Sequence, residues 1–292
     1  MASREKPVQR DEHFVDTPSG VTIYTVEKRL TSSHPTEAVL LIHGIGVGWT
    51  CWDLDIKDYS TMEFLAREGF DVFAIDHRGY GKSTKVDGLT VTSEACANDL
   101  KSVIDFIKKL RGIEKINVVG HSFGGMVVAC LAGKYPEFVE RIVLIGSPYK
   151  AIPPSFQSVA DELIEQANKG VPYVPNVHHL TVEEHLYSYA QEVVDTYKEM
   201  VAQSYSECAM GIILDVASLK HSKYIPNITA PTLLINGALE YVVDPDDAVQ
   251  CLNDLGAKQK ALLVIGNAYH LVFLEKTAHR NMNQAVLAWF RS

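Results

Sequence analysis

Ser122 carries the strongest chemical signal in the sequence. Residues 120–124 read Gly-His-Ser-Phe-Gly, between an apolar run, Lys115–Val119, and a helix-forming run, Phe123–Tyr135. A serine between two glycines at a strand–helix junction sits on a tight, strained turn that holds its hydroxyl above the sheet. A chain with 19 glycines can match this short pattern by chance. It is the strand–helix context that predicts a serine nucleophile here.

The elements that must position this serine alternate along the chain. Strands are predicted at Val21–Lys28, Ala38–Ile42, Asp71–Ile75, Lys115–Val119, Arg141–Ile145, Pro231–Ile235 and Lys260–Ile265. Helices are predicted at Thr61–Glu68, Ser93–Leu110, Phe123–Tyr135 and Ala278–Phe290. Short apolar strands alternating with amphipathic helices predict an α/β fold, with a mostly parallel sheet that helices cover on both faces.

One stretch, residues 147–228, interrupts this alternation. It has no strand pattern, and helical patterns occupy Phe156–Asn168, Val182–Gln191, Val193–Gln203 and Glu207–Leu219. An insertion at the carboxyl end of a central strand lies where open α/β sheets bind ligands, so we expect a helical cap over the site. The predicted organisation is a polar tail (1–13), a core domain (14–146 and 229–292) and this cap.

Composition narrows the class of protein. The 292 residues are 47% hydrophobic and 22% charged. The net charge is −9, so the sequence lacks the excess of positive charge that binds nucleic acid or an anionic membrane. Met1–Glu12 lacks the apolar core of a signal peptide, and no run is long enough to span a membrane. Five scattered cysteines are typical of reduced thiols. We therefore expect a cytoplasmic protein; its oligomeric state has no sequence signature.

Three motifs in this order resemble the α/β-hydrolase superfamily. They are residues 43–46 (His-Gly-Ile-Gly) after the third strand, residues 76–83 (Asp-His-Arg-Gly-Tyr-Gly-Lys-Ser) after the fourth, and the turn at Ser122. The resemblance covers about Phe14 to Phe290 and implies an eight-stranded sheet. In relatives the second motif braces neighbouring loops, so Asp76 and Arg78 are expected to be structural. Neither a metal nor an organic cofactor is implied.

A serine hydroxyl needs a base to remove its proton, and the superfamily order of nucleophile, acid and histidine directs the search downstream of Ser122. His270 follows the last apolar strand and precedes the final helix, where the base of relatives lies. His178, His179 and His185 lie in the predicted cap, and His221 and His279 are expected at the surface.

Two residues compete for the acid that orients His270. Relatives usually have Gly-x-x-Asp after the preceding strand, which aligns Glu240 with the acid and replaces the commoner aspartate by glutamate. Asp244, four residues later, is the alternative, although it also fits the start of a helix at Asp246–Leu252.

Attack on a carbonyl places negative charge on its oxygen, which preorganised N–H groups stabilise. The turn geometry assigns one donor to Phe123, and by resemblance Ile45 supplies the second. Trp49 and Trp52 are expected near the pocket mouth. The predicted cap carries further candidates for the lining: Tyr173, Tyr187, Tyr189, Tyr197, Met200, Tyr205, Met210, Ile212 and Ile213. Most of these must pack against the core instead.

The expected reaction is two-step acyl transfer through Ser122, His270 and Glu240. The predicted partner is a small or medium, partly apolar molecule, with an ester, lactone or thioester preferred. Relatives with the same triad and cap hydrolyse a carbon–carbon bond next to a ketone, and this alternative stays open. A receptor that retains the triad and an acyltransferase that passes the acyl group to an alcohol are further alternatives.

Overall fold

The computed structural model describes residues 7–31, 35–151 and 154–292. The strands are β1 (Val8–Asp16), β2 (Thr22–Leu30), β3 (Ala38–Ile42), β4 (Asp71–Ile75), β5 (Ile116–His121), β6 (Val139–Ile145), β7 (Tyr173–Pro175), β8 (Glu207–Ala209), β9 (Thr232–Gly237) and β10 (Lys260–Ile265). The α-helices are α1 (Thr61–Arg67), α2 (Ser93–Arg111), α3 (Phe123–Lys134), α4 (Pro154–Asn168), α5 (Gln191–Ser204), α6 (Met210–Ser218), α7 (Pro245–Asp254) and α8 (Ala278–Phe290).

Eight strands form one sheet in the order β1-β2-β4-β3-β5-β6-β9-β10. β2 runs antiparallel to β1 and β4, and the other neighbouring pairs are parallel. The carboxyl ends of β3, β5, β6, β9 and β10 therefore meet at one edge. The predicted mostly parallel, eight-stranded sheet is confirmed.

Burial explains why these strands read as continuous apolar runs. Every residue of β3, β4 and β5 is buried, since α2 packs against α3 and α1 packs against α8 over the sheet. α2 begins at its cap residue Thr92, whose side chain accepts the N–H of Ala95, and it ends at Gly112 in the left-handed conformation. The five cysteines are free thiols.

The structure corrects the prediction of a polar tail over residues 1–13. Val8–His13 form the first part of β1, which pairs along its length with β2. Their polar side chains are compatible with a strand because β1 lies at the sheet edge and exposes alternate residues. Residues 1–6 lie outside the described part of the chain.

The segment between β6 and β9 differs from its all-helical prediction. β7 and β8 pair antiparallel, and β8 replaces the first turn of the helix predicted at Glu207–Leu219. Where Val182–Gln191 was predicted helical, a 3-10 segment, His178–His185, is followed by an irregular segment with bends at residues 187 and 188. Within the described residues, no helix combines the length and apolar character needed to traverse a bilayer.

Candidate active site

Ser122 occupies a strained turn between β5 and α3. Its φ and ψ are 54° and −120°, and its N–H donates to the carbonyl of Ile145 at 2.8 Å. A Cβ at Gly120 would lie 2.5 Å from the Gly124 carbonyl oxygen, and one at Gly124 would lie 2.3 Å from that of Ile42. Both glycines are therefore required by the close contact between strand and helix.

His270 and Glu240 form a buried pair. Nδ1 of His270 lies 3.0 Å from both carboxylate oxygens of Glu240. Since a carboxylate can only accept, Nδ1 carries the proton and Nε2 of the neutral ring is an acceptor. The loops that carry the two residues are joined by the N–H of Leu239, which donates to the carbonyl of Ala268 at 2.9 Å.

The ionised form of Glu240 is stabilised within this buried site. Burial raises its pKa, but the charge and hydrogen bond of His270 outweigh this effect together with the N–H groups of Val242 and Tyr241. The pKa of Glu240 consequently lies below its ordinary value. Glu240 is therefore a carboxylate at neutral pH and can stabilise a positive charge on the imidazole.

The competing acid, Asp244, lies elsewhere. It is the cap residue of α7, where its side chain accepts the N–H of Asp246 at 2.8 Å and Pro245 begins the helix. The structure therefore brings Glu240, and not Asp244, to His270.

The pair lies against His121, the residue that precedes Ser122, and against Gly146. The ring of His121 lies 4.7 Å from that of His270, and its Nε2–H donates to the His270 carbonyl at 3.1 Å. A Cβ added at Gly146 would lie 3.0 Å from Nδ1 of His270 and 3.2 Å from the Glu240 carboxylate. His121 and Gly146 thus shape the site, although the sequence marks neither for this purpose.

The hydroxyl of Ser122 has no hydrogen-bond partner among the described residues, and neither has Nε2 of His270. Ser122 is 6% exposed and lines a cavity together with Ile45 and Phe123. In hydrolases without substrate, the hydrogen bond between nucleophile and base is often long and tightens in the complex.

Ile45 and Phe123, the two residues expected to supply N–H donors, line the same cavity. Phe123 is the first residue of α3, so its N–H has no acceptor within the helix. His43 accepts the N–H of His77 at Nε2, so its Nδ1 must carry the proton that it donates to the Gly44 carbonyl at 2.7 Å. That carbonyl and the N–H of Ile45 belong to one trans peptide, so the bond fixes the orientation of the Ile45 N–H.

The cavity at Ser122 is small and apolar. Its volume is about 30 Å³, and no charged side chain lines it. The lining consists of Ile45, Ser122, Phe123, Pro148, Ile213, Val216, Ala217 and Val242. Ile213, Val216 and Ala217 lie on one face of α6 at helical spacing, so a helix from the segment between β6 and β9 covers Ser122.

Of the lining candidates named from the sequence, Ile213 lines this cavity, whereas Trp49, Trp52, Tyr187 and Met210 lie outside it. Trp49 borders a larger open groove of about 1000 Å³, which contains none of Ser122, His270 and Glu240. Trp52 is buried against His121 and Phe273. Tyr187 is 55% exposed, and Met210 packs in a cluster with Ala167 and Ile213. The prediction of these residues as lining is therefore wrong.

A buried carboxylate with no sequence signature connects the segment between β6 and β9 to the loop of His270. Glu275 accepts the N–H groups of Tyr187 and Ser188 at 2.9 Å and that of Tyr269 at 3.1 Å. Its position five residues after His270 carries no pattern that would identify this role from a single sequence.

Two other histidines were predicted at the surface and are buried. His221 donates Nε2–H to the Pro148 carbonyl at 2.8 Å, and burial lowers its pKa to about 4. His279 donates Nδ1–H to the Glu275 carbonyl and stacks on Tyr59 at 4.0 Å. Within residues 7–31, 35–151 and 154–292, no group of three His, Cys, Asp or Glu side chains could hold a metal ion.

The described geometry is that of an α/β sheet with Ser122, His270 and Glu240 on loops at the carboxyl ends of its strands. A family model for the α/β hydrolase fold matches residues 37–277. The chain belongs to the α/β-hydrolase fold family, which confirms the resemblance seen in its motifs.

The similar proteins include a lipase, a hydrolase of unsaturated oxo acids and an esterase. Mouse monoglyceride lipase is 27% identical over 247 residues, which cover 84% of this chain and 78% of the lipase. The 2-hydroxy-6-oxononadienedioate/2-hydroxy-6-oxononatrienedioate hydrolase of Paraburkholderia phymatum is 34% identical over 110 residues, or 38% of this chain and 36% of that protein. A thermophilic esterase from Thermogutta terrifontis superposes with a TM-score of 0.75 at 23% identity, covering 97% of this chain and 98% of the esterase, which shows a common fold.

Proposed function

We propose that the protein is a serine hydrolase that cleaves esters of short, uncharged acyl groups through an acyl-enzyme. The observation that supports this function best is the buried His270–Glu240 pair, which packs against His121 next to Ser122, while Ser122 itself lines a cavity without charged side chains. A neutral imidazole whose Nδ1–H is held by a carboxylate presents Nε2 as a general base.

In the first half of the reaction, Oγ of Ser122 attacks the carbonyl carbon and its proton passes to Nε2 of His270. The carbonyl oxygen becomes an oxyanion, which accepts hydrogen bonds from the N–H groups of Ile45 and Phe123. Glu240 stabilises the imidazolium. When the tetrahedral intermediate collapses, the ester bond breaks, and the leaving alkoxide takes the proton from His270.

In the second half, water attacks the acyl carbon and gives its proton to Nε2 of His270. Collapse of this intermediate breaks the bond to Oγ of Ser122, which recovers the proton from His270. The acid is released and the resting site is restored. Each half needs one base and one oxyanion site, and the same residues supply both.

The size of the cavity limits the acyl group. About 10–15 Å³ of such a cavity is enough for one water molecule, so a volume of about 30 Å³ leaves the closed site room for only a short chain. We assign residues 147–228 to a cap, since α6 covers Ser122 with Ile213, Val216 and Ala217. Longer substrates then require α6 to move.

Carbon–carbon bond hydrolysis is the second candidate, and the Paraburkholderia phymatum relative supports it. The substrate in that protein's name is a dicarboxylate. The cavity at Ser122 has neither a lysine nor an arginine in its lining, and burying an unpaired carboxylate is costly. Ester hydrolysis therefore fits this chain better.

The test is hydrolysis of p-nitrophenyl esters from acetate to palmitate by the wild type and by folded Ser122→Ala. We expect kcat/KM to be highest for the shortest chains and turnover to disappear in the variant. Near wild-type turnover by Ser122→Ala would refute the proposal. If the wild type hydrolyses none of the esters but turns over a 2-hydroxy-6-oxo dienoate, carbon–carbon bond hydrolysis is favoured.

A further inference from the structure

The loop after β3 must hold the N–H of Ile45 in place while charge develops on the substrate. His43 fixes only the first peptide of this loop, between Gly44 and Ile45. The peptide that follows Gly46 is held by a residue outside the loop. The contacts around it involve the short strands β7 and β8, whose existence the sequence does not reveal.

Asn176 holds the peptide that follows Gly46. Its side-chain Nδ2 donates to the carbonyl of Gly46 at 2.6 Å and to that of Tyr205 at 2.7 Å. Asn176 directly follows β7 and is 4% exposed, and its own N–H donates to the Ser206 carbonyl at 2.8 Å. The pairing of β7 with β8 therefore fixes the position of Asn176, whose side-chain amide contacts the loop after β3.

Tyr80 holds the end of β8 and packs beside His43. Its hydroxyl accepts the N–H of Ala209, the last residue of β8, at 3.1 Å. Its ring lies 5.6 Å from that of His43, which fixes the peptide between Gly44 and Ile45. Tyr80 thus connects β8 to the residue that orients the N–H of Ile45.

The far end of the loop is tied to the same segment. Oδ1 of Asp76 accepts the N–H of Trp49 at 3.1 Å and the hydroxyl of Tyr205 at 3.0 Å. A Cβ at Gly48 would lie 2.1 Å from the ring of Tyr205, so this residue fits against the loop without a gap. The β7–β8 region therefore contacts the loop from Gly46 to Trp49.

We infer that Asn176 and Tyr80 are positioning residues: Asn176 clamps the carbonyl of Gly46, and Tyr80 holds β8 and packs beside His43, so that the N–H of Ile45 points at the developing oxyanion. This inference rests on the proposed function, since it assigns a role in the same acyl transfer. Neither side chain lines the cavity, so neither is expected to contact the substrate. Their loss should weaken stabilisation of the oxyanion and leave ground-state binding unchanged.

The test compares Asn176→Ala with a control, Asn283→Ala, which also removes a buried amide. The Asn283 side chain accepts a hydrogen bond from Thr61 at 2.9 Å, between α8 and α1. Displacement of a catalytic group by about 1 Å can cost on the order of 100-fold, so we expect kcat of Asn176→Ala to fall about 10- to 100-fold with little change in KM. Asn283→Ala should keep the wild-type kcat.

A second readout separates positioning from general damage. 1,1,1-Trifluorobutan-2-one forms a hemiketal oxyanion with Ser122, whereas butan-2-one binds without one. Asn176→Ala should weaken inhibition by the trifluoroketone by the same factor as kcat and leave inhibition by butan-2-one unchanged. Equal inhibition of Asn176→Ala and wild type by the trifluoroketone would overturn the inference, as would equal losses in Asn176→Ala and Asn283→Ala.

Tyr80→Phe keeps the ring and tests the clamp should Asn176→Ala fail to fold. It should reduce kcat and trifluoroketone affinity together by about 10-fold, since it removes only the acceptor that holds the N–H of Ala209 at the end of β8. Wild-type values in a folded Tyr80→Phe would count against the clamp. Activity that survives in Ser122→Ala would instead contradict the proposed function, and the two failures are thereby distinguished.

Discussion

Replacement of Gly146 by alanine is expected to slow turnover while the protein still folds. Gly146 follows β6 with a φ of +53°, and its N–H donates to the carbonyl of Ile235 at 2.9 Å. A methyl group there would lie 3.0 Å from Nδ1 of His270 and 3.2 Å from the carboxylate of Glu240. Optimal separations for such atoms are about 3.5–4.0 Å, so the pair must shift by about half an ångström.

The size of the effect follows from the hydrogen bond that is disturbed. A hydrogen bond to a charged group contributes about 1.5–3 kcal/mol. This bond strengthens when His270 becomes positively charged during attack, so its loss falls mainly on kcat. At 1.36 kcal/mol per factor of ten, the expected decrease in kcat is about 10- to 150-fold.

Gly112→Ala provides the matched control. Gly112 ends α2 with a φ of +67°, and a Cβ there would meet no atom within 4 Å. Both variants force alanine into the left-handed region, at a cost of about 1–2 kcal/mol each. Urea unfolding should therefore give comparable losses of stability, while kcat on p-nitrophenyl acetate should fall only in Gly146→Ala. Equal kcat values in the two folded variants would refute the coupling of the His270–Glu240 contact to turnover.

Three further predictions concern the acid, the cavity and a buried carboxylate remote from both. Glu240→Gln should reduce kcat by about 10³- to 10⁴-fold, since an amide no longer holds His270 in the tautomer with its proton on Nδ1. Asp244→Asn should leave kcat unchanged. If steady-state kinetics show the reverse, Asp244 and not Glu240 is the catalytic acid. Ile213→Ala should enlarge the cavity and shift the preferred p-nitrophenyl ester toward longer chains, and an unchanged chain-length profile would place the acyl group elsewhere. Burial, together with the negative charge of Glu27, raises the pKa of Asp71 to about 7. Because the folded state then binds a proton that the unfolded state has already lost, Asp71 should make the protein less stable as the pH rises from about 4 to about 7. Urea unfolding across this pH range should show a smaller decline in the free energy of unfolding for Asp71→Asn than for the wild type. An identical decline in both proteins would contradict the raised pKa of Asp71.

The parts of the fold that were predicted correctly have a strong local pattern. β3, β4, β10 and α8 have the predicted bounds, since an uninterrupted apolar run or a helical stripe fills each of them. β7 and β8 have three residues each, and their pairing depends on the contacts of the surrounding segment, which no local pattern encodes. β1 was mistaken for a tail because an edge strand tolerates charged side chains on its exposed face.

In the site too, residues that belong to a sequence motif could be predicted, and residues placed by tertiary packing could not. Ser122 was predicted from its strand–helix context, and His270 and Glu240 from the order of motifs in relatives; the structure brings His270 and Glu240 together. The cavity lining could not be predicted in this way, because it depends on how α6 packs over the sheet. The aromatic character of Trp49 and Tyr187 was misleading, since the first lines a separate groove and the second is largely exposed. Smaller residues, Val216 and Ala217, cover Ser122 instead.

The central claim is that Ser122 becomes acylated during turnover. The most direct test is acid quenching of the wild type during hydrolysis of p-nitrophenyl acetate, followed by mass spectrometry of the intact protein and its peptides. We expect one acetyl group per chain, on the peptide that contains Ser122, and none in Ser122→Ala. An acetyl group on another residue, or steady turnover by Ser122→Ala, would contradict this mechanism.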